Sequence, residues 1–330
     1  MQATDNSSIV LTNGAYLYVH KLSGATPMRI YLMDGASLES TDSSTVRVVC
    51  RNSSQVQARN STLDIEASGN TLVNLDNCTG RVCAGDKANI TITNSTVTLY
   101  SISDEAYAWV SNSLIHGDTD FLTAAGKSTV WLINSTAKYS GGIYDHMLFQ
   151  DESHVWIINT TICIANMDFC NRSSVWAINS NITALHEATN MRFHSAEAKL
   201  IYSWHLSVNV KSPEGAPLAN MTVEVYYSNG TLVDEGITDS NGNAQFILAQ
   251  HIKQKDRDQY FVPYTIRAYN ANLKGEANVE LDSNKEITVT TSTYTPPQPI
   301  PATWIAATAI IVIVISIGPL VYFKKRKHAK

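Results

Sequence analysis

The chain has 330 residues, 44% apolar, 16% charged and 8% aromatic, with 29 acids against 24 bases; this is the profile of a folded protein long enough for two or three units that each bury a core. Five of the bases, Lys324, Lys325, Arg326, Lys327 and Lys330, close the chain, leaving residues 1–323 with 19 bases against the 29 acids, and so acidic a body excludes a nucleic-acid binder, which needs a basic face. No G-x-x-x-x-G-K-[ST] or G-x-G-x-x-G loop occurs, which excludes nucleotide chemistry built on such loops. The opening stretch, MQATDNSSIV, has no basic n-region and no long apolar run, so the start of an exported chain is read here as truncated.

From residue 40 to 205 the chain restates itself. A turn Asn followed by small residues recurs at Asn60, Asn77, Asn94, Asn112, Asn134, Asn159 and Asn179, at spacings of 17, 17, 18, 22, 25 and 20 residues. That is the size of one solenoid coil with loops of variable length. Three coils share a longer signature, STVWLINST, SHVWIINTT and SSVWAINSN, which puts Trp131, Trp156 and Trp176 at one position per coil. Each is a short β-branched and aromatic run ending in an Asn that tolerates the left-handed backbone region. No useful helical stripe appears, which excludes helical repeats, and the Leu lattice or 40-residue blade of other repeat classes is absent. These repeats resemble those of right-handed parallel β-helix proteins of the pectate-lyase type. The resemblance implies that like residues stack at about 4.8 Å per coil into ladders.

Aligning the segments after each turn on Phe121, Phe149, Phe169 and Phe193 places Thr119, Met147, Met167 and Met191 two residues earlier. Period-two alternation sends both columns inward. The outward columns are then Asp118, His146, Asn166, Asn190; Asp120, Leu148, Asp168, Arg192; and Leu122, Gln150, Cys170, His194. Such a face can bind a polysaccharide, coordinate Ca²⁺, or hydrolyse a glycosidic bond with two carboxylates. Asp120 and Asp168, two coils apart, match only the wide inverting pair, and a solvated face is the plainer reading of the same residues. Of the five cysteines, Cys78 with Cys83 and Cys163 with Cys170 are near enough in sequence to staple loops, leaving Cys50 single. No C-x-x-C spacing points to zinc or any other metal.

At Leu206 clean alternation begins. G-x-P-L at Gly215, Pro217 and Leu218, then Val223 and Val225, then T-D-x-x-G-x-x-x-F from Thr238 to Phe246 closely resemble the carboxypeptidase regulatory-like domain over 206–292. That small prealbumin-like sandwich implies spacing or binding, with no catalytic residues. A Pro-rich stalk follows over 293–302, extended at about 3 Å per residue. Residues 303–323 are 21 in number without a charge, enough to span about 30 Å of hydrocarbon as a helix. The basic tail 324–330 then lies in the cytoplasm and the body outside. Twelve N-x-[ST] sequons, at Asn6, Asn52, Asn60, Asn77, Asn89, Asn94, Asn134, Asn159, Asn171, Asn181, Asn220 and Asn229, agree with that side of the membrane. An inward, stacked Asn could not carry a sugar.

The expectation is an all-β protein: a right-handed parallel β-helix over 1–205 and a small β-sandwich, with one C-terminal transmembrane helix. It is a single-pass protein of an archaeal-type surface that binds glycans or adheres, in contact with the bilayer and a polysaccharide. The alternatives are a membrane-tethered polysaccharide lyase or glycoside hydrolase, and an envelope component without ligand. Ca²⁺ is the one ion the outward face invites.

Overall fold

The computed structural model describes residues 8–11, 15–20, 28–42, 46–117, 122–139, 146–184 and 190–293. They form a parallel β-solenoid of about eight turns, in which successive strands fall alternately into two sheets. Val46–Cys50 and Thr62–Ala67 belong to sheet A, Gln55–Arg59 and Leu72–Asp76 to sheet B. Each strand pairs in parallel with the strand one coil on. The register superposes Val56, Val73, Ile90, Ala108, Val130, Val155, Val175 and Leu200 as one inward column of sheet B. Strands alternate half-buried and buried positions along their length, the period-two signature of a sheet with one face on a core. Between the sheets lies a single apolar cluster running from Val19 to Leu200.

The corners hold the coils in register. Asn60, Asn77, Asn94, Asn112, Asn134, Asn159 and Asn179 all have φ between 48 and 52°, the left-handed conformation that Asn tolerates. The residue after each turns inward; it is Ser or Thr at every one of these corners but Cys78, and the hydroxyls serve the neighbouring coil. Ser95 N–H donates to Ser113 Oγ at 3.0 Å, Ser113 N–H to Ser135 Oγ at 3.2 Å, Ser135 N–H to Thr160 Oγ1 at 3.2 Å and Thr160 N–H to Ser180 Oγ at 3.1 Å. The same hydroxyls donate to the carbonyl two residues back in their own coil, as Ser113 does to Ser111 at 2.7 Å. Outside, the Asn side chains form a second chain of bonds, including Asn77 Nδ2 to Asn60 Oδ1 and Asn179 Nδ2 to Asn159 Oδ1, both 2.7 Å.

The opposite corner uses the same backbone conformation with different residues: Asp34, Asn52, Gly69, Asp86, Asp104, Gly126, Asp151 and Asn171 all have positive φ. Gly80 is required for another reason. Its φ is +134°, and a Cβ there would sit 1.8 Å from the Leu63 carbonyl oxygen.

The predicted tryptophan column is present. Trp131 and Trp156 stack at 5.0 Å with 8° between planes, and Trp156 and Trp176 at 4.3 Å and 7°. A fourth member, Trp109, stacks on Trp131 at 5.7 Å. The growth of the repeat from 17 to 25 residues is absorbed in sheet A. Strand Thr96–Ile102 carries Tyr100 as an extra residue where its register shifts, a bulge that bends the strand. On the next coil it is met by two strands, Leu114–Gly117 and Leu122–Ala124. From there each coil supplies two strands to sheet A, the later ones being Thr136–Tyr139, Thr161–Ile164 and Asn181–Ala184 on one side, and His146–Phe149, Asn166–Phe169 and Asn190–Phe193 on the other.

Residue 206 falls within one strand, Lys199–Lys211. Its first half pairs in parallel with Ser174–Ile178, and its second half pairs in parallel with Lys285–Thr290 along the same edge. Asn243–Lys253 runs antiparallel along the other edge of both halves. Leu206, Val208 and Val210 belong to a second apolar cluster with Val223, Phe246, Tyr264 and Ile266, covered by a five-stranded antiparallel sheet C that includes Thr222–Tyr227, Tyr264–Tyr269 and Leu273–Val279.

Two expectations need correction. The fold class with a C-terminal transmembrane helix is not met: among the described residues there is no helix, and none long and apolar enough to cross a membrane. The described backbone meets its hydrogen-bonding requirement through strand ladders and turns instead. The apolar run 303–323, the tail 324–330 and the stalk beyond Thr293 lie outside the described residues. The proposed staples are also absent, since Cys50, Cys78, Cys83, Cys163 and Cys170 are all free thiols. Cys78 faces inward at a corner with its thiol on the Asp76 carbonyl. Cys83 lies five residues further along an extended run, roughly 16 Å at strand rise, far beyond disulfide reach. Burial pushes the Cys50 thiol up to about 12.

Two predictions follow from the ladders and the junction. Ser113→Ala strands the buried Ser95 N–H and should cost about 1–3 kcal/mol, read as a lower urea midpoint at unchanged slope. At the junction His251 is sandwiched between Tyr202 at 5.2 Å and Tyr260 at 4.7 Å. Its buried Nε2 has no hydrogen-bond partner. Burial lowers its pKa below 6.5, opposed by Asp258 and assisted by Lys253. The unfolded chain therefore takes up this proton first as pH falls, so the stabilisation is complete above the unfolded value and is lost below it, towards the depressed folded one. His251→Phe, which keeps the stack, should lose less stability than the parent between about pH 7 and about pH 5 in paired urea titrations.

Candidate ligand-binding face

The split in sheet A creates a four-strand surface from Leu122–Ala124, His146–Phe149, Asn166–Phe169 and Asn190–Phe193. Its inner columns are largely as expected. Met147, Met167 and Met191 pair in line, as do Phe149, Phe169 and Phe193, the last two rings stacking at 4.4 Å. The head of each column differs. Leu122 leads the Met column and Ala124 the Phe column, so the alignment on Phe121 and Thr119 was three residues out of step at this first coil. Leu122, expected outward with Gln150, Cys170 and His194, is fully buried, and Thr123 takes the outward place assigned to Asp120. The side chain at the head of the Phe column has shrunk to a methyl group, which left no aromatic landmark to align on. Asp118 and Asp120 lie outside the described residues.

The remaining outward residues assemble in the expected register: His146 beside Asn166 beside Asn190, and Leu148 beside Asp168 beside Arg192. Gln150, Cys170 and His194 continue the strands, their N–H groups bonded to the carbonyls of Ala124, Phe149 and Phe169. Asp168 is outward by register yet only 7% exposed. Arg192 covers it from the next coil with a two-pronged grip, Nε to Oδ1 and Nη2 to Oδ2, both 2.8 Å, and His194 Nε2 lies 3.0 Å from Oδ1. Arg192 and His194 are themselves 55% exposed. A guanidinium has five N–H donors, so those not engaged by Asp168 remain for a ligand. Burial, helped by Asp168 and Asp151, raises the Cys170 thiol pKa and makes it a poor nucleophile.

Chemically the face offers a guanidinium and an imidazole anchored on one carboxylate. The two-carboxylate arrangement of a glycosidase is reduced, among the described residues, to Asp168 alone. No group of three or more His, Cys, Asp or Glu is gathered for a metal among them either. Eleven of the twelve sequons fall in described residues, and all eleven Asn are exposed. Asn6 lies outside. Asn52, Asn60, Asn77, Asn94, Asn159 and Asn171 each spend side-chain N–H on the coil before.

Sequence reasoning missed a concavity of about 690 Å³ on sheet C, lined by Glu224, Arg267, Tyr269, Lys274, Glu276 and Ser292. Its charges are largely paired: Arg267 bonds Glu276 and the Tyr269 hydroxyl donates to Glu224, each at 2.8 Å. Only the sheet pairing between distant strands reveals it.

No known protein-family profile matches the chain, and no curated protein matches it. Among solved structures it is similar to the shaft pilin SpaA from Lactobacillus rhamnosus GG, at 10% identity and a TM-score of 0.23 over 28% of this chain and 50% of that one. It is also similar to the Bacillus anthracis TIE protein, at 18% identity and a TM-score of 0.22 over 34% and 19% respectively. The chain thus spans half or less of the length of these structures.

Arg192→Ala leaves a carboxylate that is nine-tenths buried with the His194 imidazole as its remaining side-chain partner. The expected loss is about 1–2 kcal/mol by urea unfolding, below the roughly 3–5 kcal/mol of fully buried pairs because Arg192 is half exposed. An unchanged midpoint would mean that the pair contributes no stability.

Proposed function

We propose that the protein is an extracellular binding module that holds acidic glycans on the split face of sheet A and performs no covalent chemistry on them. The observation that carries this reading is Asp168: both its oxygens are taken by Arg192 and His194, so it is not free as a base or nucleophile, whereas its two partners stand half exposed. On a chain of net charge −5, an exposed guanidinium fixed by a buried acid favours a carboxylate- or sulfate-bearing polymer. The exposed sequon Asn residues support placement outside the cell. The resemblance of 206–292 to the carboxypeptidase regulatory-like domain supports a spacer role for that part, and its shared strand Lys199–Lys211 makes it a rigid one.

A polysaccharide lyase or hydrolase is the rival reading, and the His194–Asp168 contact is what favours it, as a His held by a carboxylate. The two readings separate in one assay with polygalacturonate. The binding reading expects retention of the full chain on the polymer, weakened by salt, lost in the Arg192→Ala/His194→Ala double variant, with no release of reducing ends or unsaturated sugars. Failure of the parent to bind, or equal binding by the double variant, overturns it, and product release transfers the case to the enzyme.

A further inference from the structure

The other sheet carries a second surface of different chemistry. On sheet B the outward position occupied by Gln57, Asn74 and Thr91 in earlier coils becomes Trp109, Trp131, Trp156 and Trp176. The column two residues on changes from Arg59, Asp76 and Thr93 to Ser111, Ile133 and Ile158. Across the outward positions of these four strands no Asp, Glu, Lys or Arg occurs. Lys199 closes the strip, its ammonium 6.0 Å from the Trp176 ring.

The stacking decides what such a strip can hold. Neighbouring indoles lie at 5.7, 5.0 and 4.3 Å, so the sides that successive rings turn to one another are occupied, and a sugar ring cannot lie flat on those paired faces. What remains is one indole N–H per coil: none of the four is hydrogen-bonded to the described residues and none is sealed from solvent. The result is a row of donors repeating at the coil rise of about 4.8 Å, beside a strip of aliphatic surface. A Trp N–H is donor only, so the partner must bring acceptors at a matching repeat. A second copy of this chain docked through the same row would bring identical donors and leave both unsatisfied.

We infer that the indole edge of sheet B is a docking track for an uncharged linear polysaccharide lying along the solenoid axis, its hydroxyl and ring oxygens accepting from Trp109, Trp131, Trp156 and Trp176. This site is separate from the Arg192 face and takes a different ligand class.

The test uses the full chain with hydroxyethyl cellulose and chitohexaose as neutral probes and polygalacturonate as the acidic control. Binding is read by gel retardation and by indole fluorescence. Trp131→Phe/Trp156→Phe keeps the stack and deletes two donors. The expected result is neutral-glycan binding insensitive to salt, weakened at least about tenfold in this variant and unchanged in Arg192→Ala/His194→Ala. Sedimentation of parent and variant checks the alternative occupant. Absence of neutral-glycan binding by the parent overturns the inference, as does equal binding by the Phe variant. A parent dimer that the Phe variant abolishes overturns it in favour of self-association. Failure of the parent to bind polygalacturonate while it binds the neutral probes strikes the acidic-face reading and upholds this one.

Discussion

The solenoid depends on one requirement: every coil must leave its corner in the left-handed conformation and still hand a hydrogen-bonding group to its neighbour. An Asn or Asp outside and a Ser or Thr inside meet that requirement together. The outer side chain adopts positive φ cheaply, and the inner hydroxyl accepts the N–H that the corner would otherwise bury unpaired. Because the bonds run from coil to coil, as from Ser95 to Ser113 to Ser135, a slip of one residue would break a whole column rather than one contact. The in-register stacking of valines, tryptophans and phenylalanines follows from that constraint.

Fixed corners leave freedom only between them, and the chain uses it in sheet A. The bulge at Tyr100 and the split into two strands per coil let insertions enter without disturbing sheet B, whose strands keep five residues from Asn89–Thr93 to Ser174–Ile178. The two sheets therefore diverge in chemistry. Sheet A gains a face where residues of successive coils, Asp168 and Arg192, are brought into ionic contact, while sheet B, over the strands Tyr107–Ser111 to Ser174–Ile178, presents outward positions without Asp, Glu, Lys or Arg on which identical rings accumulate. The strand Lys199–Lys211 carries the order of sheet B onward into the second core, so the C-terminal part is held by the same ladder.

Legibility varied with how many residue types can solve a local problem. The Asn corner was readable because Asn is nearly alone in suiting its position. The opposite corner was not, because Asp34, Asn52, Gly69 and Asp104 serve it equally and their mixture shows no repeat. Trp131, Trp156 and Trp176 announced themselves through a shared signature, whereas Trp109 sits in AWVSN and escaped it. At the candidate site the Met and Phe columns were visible, but the register of Leu122 was not, since Ala124 offers no aromatic mark.

The amino-acid order alone thus determined a stacked β-solenoid, the inward and outward sense of most positions and the set of polar residues available on one face. Tertiary structure decided which of these meet. Asp168 reads as a solvated acid until Arg192 and His194, 24 and 26 residues later, fold over it from the next coil. Periodicity specifies the direction a side chain takes from its own strand. Burial, pairing and the free N–H edge of the tryptophans depend on what the neighbouring coil places beside it, and that distance exists only once the coils are stacked.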